Sequence, residues 1–140
     1  MKWNLDFRMK KQLFLLLVVS AVLLQCSFFA NAISLEQAIQ QRTSNVQVKG
    51  TGTVIRLLKD DNRGSRHQKF ILKLASNKTI LIAHNIDLAP RINAISTGDI
   101  IAFYGEYEWN NKGGVVHWTH HDPNGHHIGG WLKHNGNTYQ

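Results

Sequence analysis

Cysteine is nearly absent from this 140-residue chain, Cys26 being the only one. A single thiol excludes an internal disulfide, a paired-thiol redox centre and a cysteine-ligated zinc site, so any metal would have to be held by His, Asp or Glu. Proline occurs only at Pro90 and Pro123, and no Pro/Gly linker, internal repeat or low-complexity tract divides the sequence. Acidic residues are also scarce, nine against sixteen Lys and Arg, which gives a formal net charge of +7. The apolar run from Leu13 to Leu24 is about a dozen residues long, short of the roughly 20 that span a bilayer.

The N-terminal stretch has the order of a bacterial export signal. Lys2, Arg8, Lys10 and Lys11 precede the apolar run, and Ala30-Asn31-Ala32 forms a small-residue cleavage site. The expectation is a signal peptide over residues 1–32, cleaved after Ala32, and a periplasmic or secreted domain over 33–140. Membrane contact would then be confined to the uncleaved leader. Gln25 stands where a lipidated cysteine normally has a small neighbour, so Cys26 fits a lipoprotein site poorly and would leave with the leader. Removal of residues 1–32 leaves twelve basic and eight acidic residues, a net +4. That modest charge supports a nucleic-acid partner only weakly, because such proteins usually carry a clustered basic face. About a hundred residues make one domain with one core.

Ser34 with Gln37 predicts a capping box on a short helix from Leu35 to about Gln41. Alternation from Val46 to Leu58 predicts a long first strand, with Gly50 and Gly52 marking a bend. Strands are expected at His67–Ala75, Thr79–His84, Ile100–Trp109 and Val115–His121, with a short helix between the third and fourth, capped by Asp87 and carrying Leu88, Ile92 and Ile95. Asp122-Pro123-Asn124-Gly125 matches a type I turn. The order predicts a mainly β, five-stranded OB-like barrel.

Six of the eight histidines lie between His117 and His134, and imidazole suits both metal binding and proton transfer near neutral pH. On a strand, His117 and His121 stand roughly 13 Å apart, too far for one ion. A site for a divalent metal such as zinc would therefore gather His121, Asp122, His126, His127 and His134 around the turn; alternatively these groups bond one another and the backbone. Alternation also places Tyr104, Glu106 and Glu108 on the face shared by Val115, His117, Thr119 and His121. His117 then meets Glu106 or Glu108, as a general base with a raised pKa or as a simple exposed cross-strand pair. Phe103, Tyr107, Trp109, Val116 and Trp118 fall on the opposite face, as barrel core or as a stacking platform. A third candidate is the loop Arg63, Ser65, Arg66 and His67, whose guanidinium groups can fork an anion, although Asp60 and Asp61 offset their charge. Trp131, outside the five strands, either plugs a barrel end or stacks on a ligand.

The runs Gly64-Ser65-Arg66-His67-Gln68-Lys69-Phe70, His84 to Ile92, Gly105-Glu106-Tyr107-Glu108-Trp109 and His117 to Pro123 resemble a family of small exported bacterial proteins classed as a domain of unknown function. The resemblance covers nearly all of residues 33–140 and implies a family, not an activity. The functional expectation is a binding module for an anionic or oligomeric ligand, an oligosaccharide or oligonucleotide. The alternative is a His-dependent, metal-assisted hydrolase acting on a phosphodiester or similar bond, with His117 as base, Glu106 or Glu108 orienting it, and Arg63 or Arg66 stabilising charge.

Overall fold

In the computed structural model, which describes Lys10 and residues 32–140, Ser34 closes the expected capping box. Its side chain accepts from the Gln37 backbone at 3.2 Å and its own N–H donates to Gln37 Oε1 at 2.9 Å, which satisfies two of the orphan donors of α1, Leu35–Gln41. The chain divides into two units, Met1–Asn31 and Ala32–Gln140. Apart from Lys10 and Ala32, the expected leader and its cleavage site lie outside the described residues. Among the described residues, no helix is long and apolar enough to cross a membrane.

Seven strands follow α1: β1 (Val46–Leu57), β2 (His67–Lys73), β3 (Thr79–Asn85), β4 (Ile100–Glu108), β5 (Val115–His117), β6 (Trp131–His134) and β7 (Asn137–Tyr139). Long β1 serves two neighbours, pairing through Val46–Thr53 with β4 and through Thr53–Leu57 with β2. A bulge between Val54 and Arg56 bends it from one partner to the other. Further pairing of β2 with β3, of β3 with β5 in parallel, and of β5 with β4 closes a five-stranded barrel in the order expected of an OB-like fold. The bend therefore falls at Ile55 rather than at the glycines. Gly50 and Gly52 make room instead: a Cβ on Gly50 would lie 2.5 Å from the Phe103 ring, and one on Gly52 2.9 Å from Leu72.

Inward positions alternate as the sequence predicts. Val48, Val54, Phe70, Leu72, Ile80, Ile82, Ile101, Phe103, Tyr107 and Val116 are buried, and Leu35 and Ala38 of α1 join the same core. Trp109 and Trp118 are half-buried.

Three expectations need correction. The segment between β3 and β4 is a run of turns, not a helix. Pro90 disfavours helical backbone at Ala89, and Asp87 spends its carboxylate on the backbone N–H and guanidinium of Arg66. Gln68 replaces the helical hydrogen bonds, its amide clamping both the N–H and the carbonyl of Ile92. Strand β5 stops at His117 instead of reaching His121, because Trp118 takes φ 52° and leaves the β region. A C-terminal hairpin, β6–β7, was not expected. It turns at Asn135-Gly136, both with positive φ, the usual chemistry of a two-residue hairpin loop.

That hairpin matters for the outer surface of β4. One edge of β4 pairs with β1 from Ile100 to Tyr107, and the other is shared: Ala102–Tyr104 pair with β6, and Glu106–Glu108 with β5. Gly105 lies at the handover, where a Cβ would come within 2.4 Å of the His117 carbonyl.

Candidate functional site

The six-residue loop Trp109–Gly114 sets the β4–β5 register so that Glu106 faces His117 and Glu108 faces Val115. On this outer face Glu106, Glu108 and His117 each present a ligand atom, all within 4.8 Å of one another. His117 Nε2 lies 3.3 Å from Glu106 Oε1, yet it is a buried atom with no aligned hydrogen bond. Burial holds His117 below the ordinary imidazole value of 6.5, against the upward pull of Glu106 and Glu108. The expected rise in its pKa is therefore reversed: desolvation outweighs the two carboxylates.

The second oxygen of Glu106 is occupied by a histidine that strand alternation could not place. His127 Nε2 stands 2.8 Å from Glu106 Oε2, and His127 Nδ1 stands 2.8 Å from the Ile128 carbonyl. A carbonyl and a carboxylate only accept, so this arrangement favours the doubly protonated imidazole, which can donate to both. Desolvation opposes that charge, but the bonds to Glu106 and Ile128, with the Glu106 and Asp122 charges, prevail and raise the His127 pKa. The ring also stacks on Trp118, centroids 4.0 Å apart and planes 7° off parallel, a favourable place for a cation. Asp122 sets the approach, its carboxylate accepting the backbone N–H groups of Asn124, His126 and His127. Those bonds hold its own pKa below the usual carboxylate value.

The five residues first considered as one metal set are thus dispersed. Asp122 caps a turn, His127 binds Glu106, and His134 is tied to Asp99 at 2.8 Å. His121 and His126 are exposed. Among the described residues, Glu106, Glu108 and His117 form the one group of three donors close enough to share an ion.

The Arg63 to His67 loop is brought beside His117, and its two arginines each face a carboxylate in an exposed ion pair. Arg66 donates from Nε to Asp87 at 2.6 Å, Arg63 lies against Asp61, and nearby Arg91 pairs with Asp60. His67 Nδ1 donates to the Ser65 carbonyl at 2.8 Å. Two adjoining clefts share His67 and His117: one of about 330 Å³, reaching Ser65 and Trp118, and one of about 400 Å³, reaching Asp61, Lys69 and Glu108.

Trp131 is neither a plug nor isolated. Cross-strand pairing places Lys49, Tyr104 and Trp131 in a row over β1, β4 and β6. The Tyr104 and Trp131 rings are 6.1 Å apart, and the ammonium groups of Lys133 and Lys49 lie 4.7 and 5.7 Å from the Trp131 ring. The sequence reading missed this row because it depends on the unrecognised β6. It also missed fully buried His84, which sits 2.8 Å from Thr119 Oγ1 and 3.1 Å from the Pro90 carbonyl. Thr119 was expected on the outer face and is instead inside, as Trp118 rotates the chain.

No curated protein matches the chain. A family match runs over residues 17–140 and so takes in every strand and every residue of both outer-face clusters; the chain belongs to the family described as protein of unknown function (DUF3465).

Proposed function

We propose that this protein is a binding module for an anionic, ring-containing oligomer, which it holds on the outer face of β4 around Trp131. The observation that carries the reading is the row of Lys49, Tyr104 and Trp131, with Lys133 beside the same indole. Aromatic faces stack on bases or sugar rings, and flexible lysines follow phosphate or carboxylate groups without demanding one sequence. The arginine loop contributes less than its composition promised, since Asp61 and Asp87 stand beside Arg63 and Arg66 and offset their charge.

The module would act outside the cytoplasm, in the periplasm or the medium. Supporting this is the leader pattern, basic then apolar and ending in Ala30-Asn31-Ala32. N-terminal sequencing of protein recovered from a periplasmic extract or from the medium should read from Ile33; a start at Met1 would contradict export with cleavage.

Binding is tested by fluorescence anisotropy at low salt, with a labelled single-stranded oligonucleotide and a labelled acidic oligosaccharide. At least one should bind saturably, and Trp131→Ala should weaken it about tenfold or more, since one stacked base is worth about 1–3 kcal/mol. Arg63→Ala should leave affinity within about twofold, as expected of an exposed charge already facing a carboxylate. Failure of both probes, or full affinity in Trp131→Ala, refutes the reading.

A hydrolase reading is favoured by one observation, the half-buried His117 beside Glu106, its pKa held below the ordinary imidazole value by desolvation. Its weakness is that Arg66, one of the groups meant to stabilise developing charge, is hydrogen-bonded to Asp87, and Arg63 is solvent-exposed beside Asp61.

A further inference from the structure

We propose that Glu106, Glu108 and His117 form a binding site for a single divalent transition-metal ion of the zinc class. The site goes beyond oligomer binding and stands without it. Two carboxylates and an imidazole are an oxygen and nitrogen donor set of the kind found in three-ligand sites that keep a position open. Their ligand atoms converge within 4.8 Å on a rigid two-strand support.

The spacing of His117 and Glu106 is what an ion requires. Ligands about 2.0 Å from a tetrahedral ion stand about 3.3 Å from each other, and His117 Nε2 and Glu106 Oε1 are 3.3 Å apart. An ordinary N–H···O bond is shorter and aligned, whereas His117 Nε2 is buried and makes no hydrogen bond. Among the described residues, the unsatisfied buried side-chain atoms are His117 Nε2 and Gln47 Nε2. Both residues are cross-strand neighbours of Glu106, but Gln47 Nε2 is an amide donor, so of the two only the His117 nitrogen can ligate an ion. Buried polar atoms left without partners are rare and call for a ligand or a bound water.

The surroundings fit as well. His127 grips the far oxygen of Glu106 at 2.8 Å, the position of an outer partner that orients a ligating carboxylate. Glu108 and His117 both line the cleft of about 400 Å³ that also holds His67 and Lys69, so an open coordination position would face that cleft. An ion there would supply Lewis acidity next to groups able to move a proton.

Isothermal titration of Zn²⁺ into the chelator-treated full chain tests the site. Saturation at one ion per chain is expected, with affinity falling about 100-fold or more in both Glu108→Gln and His117→Gln. His127→Gln should fall less, within the roughly 10–100-fold that an outer partner contributes. Because surface histidines bind zinc adventitiously, the double change His121→Ala with His126→Ala serves as control and should leave affinity unchanged. Far-UV circular dichroism confirms folding of each variant, and Glu108→Gln, a half-buried isosteric change, is the one least able to disturb the barrel. Absence of saturable binding, unchanged affinity in Glu108→Gln, or loss of binding in the double control overturns the assignment.

Discussion

Acidification should destabilise this barrel through one buried histidine. His84 has no solvent exposure, and both of its ring nitrogens have a hydrogen-bond partner. The Pro90 carbonyl can only accept, so Nε2 carries the proton, and Nδ1 accepts from the Thr119 hydroxyl. Burial, aided by the fields of His120 and His67, lowers its pKa from 6.5 to about 4 despite those two bonds. As pH falls below 6.5 the unfolded chain takes up the proton first, so stability drops until the folded ring also protonates near pH 4. At about 1.4 kcal/mol for each factor of ten in proton affinity, the loss amounts to about 3 kcal/mol, a large part of the 5–15 kcal/mol typical of a domain. Urea unfolding followed by tryptophan fluorescence at pH 7 and pH 4, for the wild type and His84→Gln, isolates the effect. Other groups titrate in both proteins, so the wild type should lose about 3 kcal/mol more than the variant. Parallel losses, or an NMR titration that puts the His84 ring near 6.5, would refute the reasoning.

Other consequences of the same structure can be checked separately. Glu106→Gln removes the carboxylate that raises the His127 pKa, so an NMR titration should find that pKa lower than in the wild type. Gly105→Ala places a Cβ 2.4 Å from the His117 carbonyl; overpacking of this kind costs about 1–3 kcal/mol and should lower Tm while separating β4 from β5. Loss of the cap in Ser34→Ala, whose hydroxyl accepts from Gln37, should cost about 1 kcal/mol, measurable by urea unfolding. Asp122→Ala frees three backbone N–H groups and should speed amide exchange at Asn124, His126 and His127.

What the sequence revealed follows the physics of alternation. Within a continuous strand the period of two is strict, so the core positions Phe103, Tyr107 and Val116 could be read directly, and so could the meeting of His117 with Glu106 or Glu108, between which only the loop register, seen in the structure, decides for Glu106. Alternation fails where backbone leaves the β region. Trp118 does so with positive φ, a conformation its residue type does not announce, and beyond it Thr119 and His121 cease to share the face of His117. The clasp of Glu106 by His127 depends on the return path of the Asp122 turn, which no local pattern encodes. The expected helix at Asp87 failed to a competing partner, Arg66, twenty-one residues upstream. The β6–β7 hairpin was legible in Asn135-Gly136 flanked by Trp131-Leu132-Lys133 and Asn137-Thr138-Tyr139. Reading it would have exposed the Lys49, Tyr104 and Trp131 row, because β6 brings Trp131 to β4.

The central claim is that function resides on the outer face of β4, in the row that ends at Trp131, and not in the arginine loop. Its most direct test is a ¹⁵N–¹H NMR titration of the full chain with an unlabelled oligothymidylate and with an oligogalacturonate. The account predicts saturable shifts in the Trp131 indole N–H and in the amides of Lys49, Tyr104 and Lys133, abolished by Trp131→Ala. Shifts confined to Arg63–His67, or none with either ligand, would contradict it.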